Sequence, residues 1–218
     1  MKLKHRGVIF DLDGTLVNTL GDIAASMNLA LASRGFPELQ NNDYMDKVGW
    51  GIKRLAYLCL PENVRTEELA AQVALEAADN YADKPLVFSE PYPGISGMLS
   101  VLRQKKIKTA VLTNKPDVVA QKVISGLFSQ GSFDYVRGEI FGGPRKPDPA
   151  CVWDLLTELD LTPAQIIFLG DSEIDMETAL SSGCYPMGVS WGFRSREEIA
   201  KAGSCRIIDK PEELLDFF

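Results

Sequence analysis

Three short apolar runs in this chain each stop at a small polar cluster. Val8-Ile9-Phe10 runs into Asp11-Leu12-Asp13-Gly14-Thr15, Ala110-Val111-Leu112 into Thr113-Asn114, and Ile166-Ile167-Phe168-Leu169 into Gly170-Asp171. Continuous apolar runs of this length, bounded by turn residues, suit strands covered on both faces, as in a parallel sheet. Such sheets bind ligands beyond the carboxyl ends of their strands. Three neighbouring parallel strands would deliver all three polar ends to one crevice.

The remainder has two textures. Over residues 16–88 the pattern is helical: Leu20, Ile23, Met27 and Leu31 recur at three- and four-residue spacing, and Leu69, Val73, Ala77 and Tyr81 form a similar stripe. Gly35-Phe36-Pro37 and Pro61-Glu62-Asn63 punctuate the stretch as loops, and no strand signal interrupts it. A small helical bundle is expected there, leaving the core at Leu16-Val17 and returning between Pro85 and Pro93. Strand and helix then alternate. A helix from about Gly94 carries Ile95, Met98, Leu99 and Leu102, residues 108–112 read as a strand, and Pro116 fits the first turn of the next helix. Asp148 suits an N-cap, and Gly183 a left-handed C-cap. Residues 188–191 and 206–208 read as late strands, and 211–218 as a terminal helix. The expected fold is α/β: a doubly wound parallel sheet built from residues 1–15 and 89–218, with residues 16–88 as a small inserted helical domain.

With 218 residues there is room for such a core and its insertion. The formal charge of −7 argues against general nucleic-acid binding and offers no global steering of an anionic substrate, so attraction for phosphate must be local. No apolar stretch is long enough to span a membrane, and the basic start Met1-Lys2-Leu3-Lys4-His5-Arg6 enters the first strand without a signal-type apolar region. A cytoplasmic location is expected. Cys59, Cys151, Cys184 and Cys205 are scattered, which predicts buried reduced thiols. His5 is the single histidine and precedes the first strand, which excludes Ser-His-Asp and multi-histidine zinc chemistry.

The pattern D-x-D-G-T at Asp11 to Thr15 should arise by accident in a chain of this length only with probability on the order of 10⁻³. It is followed in order by Thr113, by Lys146 in Lys146-Pro147-Asp148-Pro149, and by Gly170-Asp171-Ser172 with Asp175. On these motifs, nearly the whole chain resembles the haloacid dehalogenase-type phosphatase superfamily with a helical C1-type cap. Residues 10–18 and Asp22-Ile23-Ala24-Ala25 look most like bacterial phosphoglycolate phosphatases, although Asn18 stands where that subgroup commonly has aspartate.

The resemblance implies roles. Asp11 would be the nucleophile that accepts the phosphoryl group, and Asp13 the acid for the leaving alcohol and then the base for water. Residues two apart on an extended segment face the same way, so both can address one substrate. Asp11, Asp13, Asp171 and Asp175 are together too negative to meet a phosphate dianion unaided, and oxygen-only donors suit Mg²⁺. By family pattern the ion would take an Asp11 oxygen, the Asp13 carbonyl and Asp171, with Asp175 further out. Asp175 alone also reads as an acid favoured at a helix N-terminus. Thr113 and Asn114 would hold phosphate oxygens, Gly14 and Thr15 would make room for them, and Lys146 would balance charge on Asp11 and the transition state.

Specificity is expected in the cap. Val48-Gly49-Trp50-Gly51-Ile52-Lys53-Arg54 is similar to the glycine-flanked cap loop of phosphoglycolate phosphatases, which makes Gly49, Trp50, Lys53 and Arg54 candidates for meeting a substrate carboxylate. A glycine-rich turn before a charged helix face explains the segment equally well. The expected activity is a Mg²⁺-dependent phosphomonoester hydrolase working through an aspartyl phosphate on a small organic phosphate, 2-phosphoglycolate being the best single choice. An intramolecular sugar phosphomutase is the alternative. A noncatalytic phosphate-binding regulator is disfavoured because every catalytic position is filled, and dehalogenation because that branch needs neither Asp13 nor the metal set. The expected partner is a small phosphate ester, with no nucleic acid or membrane, and the assembly a monomer or homodimer.

Overall fold

Strand β1 (Gly7–Phe10) is buried along its whole length, as a run without polar alternation requires. Val8 and Phe10 face one core cluster while Ile9 faces the other. A computed structural model of the chain describes residues 5–218, so Met1 to Lys4 of the basic N-terminal run lie outside the described residues. The main sheet is parallel, with strand order β5-β4-β1-β6-β7-β8. Its members are β4 (Lys108–Pro116), β5 (Tyr135–Glu139), β6 (Ile166–Gly170), β7 (Tyr185–Val189) and β8 (Arg206–Ile208).

Helices cover both faces. Those packing with Val8 and Phe10 are α4 (Ile95–Gln104), through Ile95, Met98, Leu99 and Leu102, and α5 (Asp117–Leu127), through Val119, Ala120 and Val123. On the Ile9 side lie α6 (Ala150–Leu159), through Val152, Leu155 and Leu159, and α7 (Glu173–Ser182), through Ala179. A short α8 (Arg196–Lys201) packs beside β7 and β8. This is the doubly wound α/β core expected from the alternation. Phe10 is in register with Val111 of β4 on one side and Leu169 of β6 on the other, so the three polar strand ends sit side by side where the strand order reverses.

Several boundaries differ from the sequence reading. β4 runs four residues past 112 because Thr113, Asn114 and Lys115 stay extended and buried beneath the insertion, with a register shift against β5 between Leu112 and Pro116. Pro116 is therefore the residue before α5, outside its first turn. β7 begins at Tyr185, because that residue and Pro186 already pair with Ile167 and Phe168. Asp148 stands one residue before the α6 cap position, yet its carboxylate accepts the Ala150 N–H at 2.9 Å. Gly183 ends α7 at φ 80°, in the left-handed conformation expected of it. The terminal helix is a 3₁₀ helix over Pro211–Phe217.

Between β1 and α4 the chain forms α1 (Leu20–Ala32), α2 (Ile52–Cys59) and α3 (Glu67–Asp83), with α3 packed on both others. Ile23, Met27, Leu31, Val73, Ala77 and Tyr81 are buried, as the stripes predict. A strand signal was missed: β2 (Val17–Asn18) pairs antiparallel with β3 (Glu90–Pro91), joining the outgoing and returning segments. Two residues are too few to show an alternation. Buried Asp22 reinforces this junction, its carboxylate accepting from the backbone N–H groups of Val87, Phe88 and Ser89 and from Ser89 Oγ. Cys59, Cys151 and Cys184 are buried free thiols as expected, but Cys205 is exposed. His5 is half-buried against the Tyr185 ring. Among the described residues no helix is long and apolar enough to cross a membrane.

Candidate active site

The three strand ends and the insertion enclose one cavity of about 60 Å³, lined by Asp11, Asp13, Thr113, Asn114, Lys146 and Asp171 on the core side. Asp11 follows β1 directly and is tied to β6 by its backbone N–H donating to Leu169 O at 2.9 Å. Its Oδ1 lies 2.6 Å from Lys146 Nζ, whose second contact is Asp175 Oδ1, also at 2.6 Å. All three side chains are nearly or fully buried. Burial alone would lower the Lys146 pKa, but Asp11 and Asp175 together carry it above its usual range, so the ammonium stays charged.

Oxygens of Asp11, Asp171 and Asp175 all lie within 4.8 Å of one another. Burial pushes the Asp11 carboxyl well above the ordinary range, with Asp175, Asp171 and Asp13 adding to the effect and Lys146 opposing it. Asp171 is pushed up to about 7 by burial and then by Asp175, against hydrogen bonding from the Phe193 N–H. Three buried carboxylates held this close carry more negative charge than one lysine offsets, and their donors are all hard oxygens. Such a set fits a divalent cation. Asp171 is aimed by Thr15 Oγ1 at 3.2 Å and Phe193 N at 2.7 Å. Gly14 is also required for it: φ is 86°, and a Cβ there would fall 2.7 Å from Asp171 Cγ. The Asp13 side chain lies outside this carboxylate cluster.

Asp175 stands in the first turn of α7, as its reading as a helix N-terminal acid expects. It closes a capping box on α7, with Oδ2 accepting from Ser172 N at 3.1 Å and Ser172 Oγ at 2.6 Å, while Oδ1 meets Lys146. Asp13 is held by Thr19 Oγ1, 2.6 Å from its Oδ1, and by Lys115 Nζ at 2.8 Å.

The expected phosphate ligands divide. Thr113 Oγ1 accepts from Lys115 N at 3.2 Å and remains at the cavity wall. The Thr15 hydroxyl is directed at Asp171. Asn114 uses its side chain as a clamp: Nδ2 donates to Gly49 O and Lys146 O, and Oδ1 accepts from Lys146 N, each at 3.0 Å. Of the loop residues, Gly49 lines the cavity, whereas Trp50 Nε1 donates outward to Glu173 at 3.2 Å. Lys53 is exposed and paired with Glu67 at 2.9 Å, and Arg54 stacks over the Tyr57 ring. Neither is among the cavity-lining residues.

Three participants escaped the sequence reading. Lys115 is buried against Asp13, and strand alternation from Thr113 was the available signal. Tyr81 was read only as part of a helical stripe, yet its ring lies 4.2 Å from Lys115 Nζ. Arg194, buried and paired with Glu173 at 3.2 Å, donates to the backbone carbonyls of Met45, Asp46 and Val48 and so binds the insertion's loop to the core. Its partners in the insertion are main-chain atoms, which leave no mark in a sequence.

The sequence pattern of the haloacid dehalogenase-like hydrolase family matches residues 8–189. The phosphoglycolate phosphatase of Mannheimia succiniciproducens is 32% identical over 99% of both chains. That of Aquifex aeolicus is 30% identical over 86% of both. A solved structure of a predicted phosphoglycolate phosphatase from Haemophilus somnus 129pt superposes with a TM-score of 0.89, at 29% identity and 99% coverage of both chains.

Proposed function

The chain belongs to the haloacid dehalogenase-like hydrolase family, and from that premise we propose that it is a Mg²⁺-dependent phosphomonoester hydrolase whose substrate is 2-phosphoglycolate. The observation that carries this reading is the meeting of Asp11, Asp13, Lys146 and Asp171 at one buried cavity, with the Asp175 carboxylate packed behind them against Lys146. The relatives named phosphoglycolate phosphatase support the choice of substrate.

In this reading an Asp11 carboxylate oxygen attacks phosphorus and the bond from phosphorus to the ester oxygen breaks. Asp13 gives its proton to the departing alkoxide. It then takes a proton from water, whose oxygen attacks the phosphorus of the aspartyl phosphate, releasing inorganic phosphate and restoring Asp11. Lys146 offsets charge on Asp11 and on the transferring group throughout. Asp11 and Asp171, with Asp175 beside them, would hold Mg²⁺, which would supply neutralising charge to the phosphate oxygens. Asn114 keeps Lys146 in place through its backbone. Residues 16–88 act as the cap, excluding bulk water through the apolar side chains of α1 and α2.

The test is hydrolysis of a panel of small phosphate esters with and without Mg²⁺. Metal-dependent release of phosphate, fastest from 2-phosphoglycolate, is the expected result. Isomerisation of a hexose 1-phosphate faster than phosphate release would assign a mutase instead.

A further inference from the structure

Three cationic side chains line the active-site cavity: Lys115, Lys146 and Arg194. Lys146 is engaged by Asp11 and Asp175. The Arg194 guanidinium is engaged by Glu173 and three backbone carbonyls. Lys115 differs. Its side chain is 2% exposed, its Nζ sits over the Asp13 carboxylate at 2.8 and 3.0 Å, and beside Asp13 its one other polar neighbour of note is the Tyr81 side chain. An ammonium has three donors, so capacity remains.

A second observation points to the same place. Tyr81, on α3 of the insertion, packs its ring against Lys115 Nζ, lines the cavity, and has a buried hydroxyl that makes no well-formed hydrogen bond, with Lys115 and Ser89 as its polar neighbours. A buried hydroxyl left unpaired is unfavourable and is expected to find a partner when a ligand enters. The rest of the insertion's wall carries no cation: it is apolar at Ile23, Met27, Val48, Ile52, Leu55 and Ala77, is glycine at 49 and 51, and is polar only at Ser26, whose hydroxyl donates to Asp22 O at 2.7 Å. An anionic group on the leaving side of the substrate therefore has one place to be received.

We infer that Lys115 and Tyr81 form the subsite for a carboxylate on the substrate's leaving group, which selects phosphate esters of short 2-hydroxy acids. The inference rests on the phosphatase reading above. Its geometry follows from Asp13. The acid must touch the ester oxygen, and in an ester of a 2-hydroxy acid the carboxylate carbon is two bonds further on, so its oxygens lie about 2.6–3.6 Å from that ester oxygen. A cation touching Asp13 is within contact distance of such a carboxylate. Binding it gives the Lys115 ammonium a second anionic partner and gives the Tyr81 hydroxyl an acceptor. This assigns to the core and α3 the role that the sequence placed on Lys53 and Arg54.

The deciding measurement compares 2-phosphoglycolate with ethyl phosphate, the same two-carbon ester without its carboxylate, using 4-nitrophenyl phosphate as a further reference. The ratio of kcat/KM for phosphoglycolate to that for ethyl phosphate should fall about 10- to 100-fold in Lys115→Met, mostly recover in Lys115→Arg, and fall severalfold in Tyr81→Phe. Equal losses for both substrates would overturn the inference, since Lys115 would then serve Asp13 alone. Should Lys115→Met not fold, the isosteric Tyr81→Phe decides by the same ratio. A wild-type enzyme that cleaves all three esters without favouring the carboxylate refutes this subsite and leaves the phosphatase reading standing. One that cleaves none refutes both.

Discussion

Lys146 Nζ lies 2.6 Å from Asp11 Oδ1, although 135 residues separate the two in the chain. The contact exists because Asp11 ends the central strand and Asn114, at the end of the neighbouring strand, grips the Lys146 backbone through both its donor and its acceptor. The backbones of Asp11 and Lys146 are thus placed by hydrogen bonds, and the ammonium is held between the Asp11 and Asp175 carboxylates.

Replacing the nucleophile should separate chemistry from folding. Asp11→Asn conserves volume and a hydrogen-bond acceptor for Lys146 but removes the attacking charge. Turnover should vanish while the thermal midpoint stays within a few degrees of wild type. Retention of more than about a tenth of the wild-type rate would contradict the covalent route.

Asp13→Asn should slow both leaving-group protonation and water attack, a loss of roughly 10²–10⁴-fold for general acid–base catalysis. Steady-state rates on alkyl phosphates measure it. The loss should be smaller for 4-nitrophenyl phosphate, whose leaving group needs little protonation; equal losses on both would argue against proton transfer by Asp13.

Removal of divalent metal should abolish activity and Mg²⁺ should restore it, with Ca²⁺ a poor substitute because of its larger, looser coordination. Asp171→Ala should raise the Mg²⁺ requirement far more than it disturbs the fold. Asp175→Ala should do more to the fold, because it strips the α7 cap and breaks a buried pair with Lys146, a loss of about 3–5 kcal/mol. Mg²⁺ titrations and urea denaturation of the two variants distinguish these effects.

The raised carboxyls fix the sign of a pH effect. Asp171 titrates at about 7 in the metal-free fold and Asp11 is also shifted upward, whereas an unfolded aspartate titrates at about 4. Between those values the folded chain holds more protons than the unfolded one, so these groups contribute most below pH ~4 and lose that contribution as pH rises through about 7. The metal-free protein should therefore lose thermal stability from about pH 4 to 7, the span of the Asp171 shift, and Mg²⁺ should flatten the profile. A metal-free midpoint that rises over that interval would reverse the assignment.

Asp22→Ala should weaken the junction between core and insertion, because three backbone N–H groups and the Ser89 hydroxyl lose their acceptor. About 3 kcal/mol or more should be lost in chemical denaturation, given what charged hydrogen bonds contribute and what unpaired buried donors cost. A change below ~0.5 kcal/mol would mean that water replaces the carboxylate there.

The identity of β1, β4, β6, β7 and β8, the parallel sheet and the convergence of Asp11, Thr113 and Asp171 were legible in the sequence, whereas the edge strand β5, Tyr135-Val136-Arg137-Gly138-Glu139, has no continuous apolar run and was not read. Apolar runs that stop at polar clusters encode both burial and chain reversal locally, and the core stripes of α1, α3 and α4 are equally local patterns. The sequence alone also marked Asp11, Asp13, Lys146, Asp171 and Asp175 as candidates through their motifs. What each polar side chain touches was decided only in three dimensions. Thr15 and Asn114 carry groups suited to phosphate, yet their side chains hold Asp171 and Lys146, because buried donors and acceptors pair with whatever the sheet sets beside them. Lys53 and Arg54 stand on the solvent side of α2, while Lys115 and Tyr81, 34 positions apart, face each other across the cavity. Helix rotation and strand register set those directions, and both depend on packing across the whole molecule, which no short stretch of sequence contains.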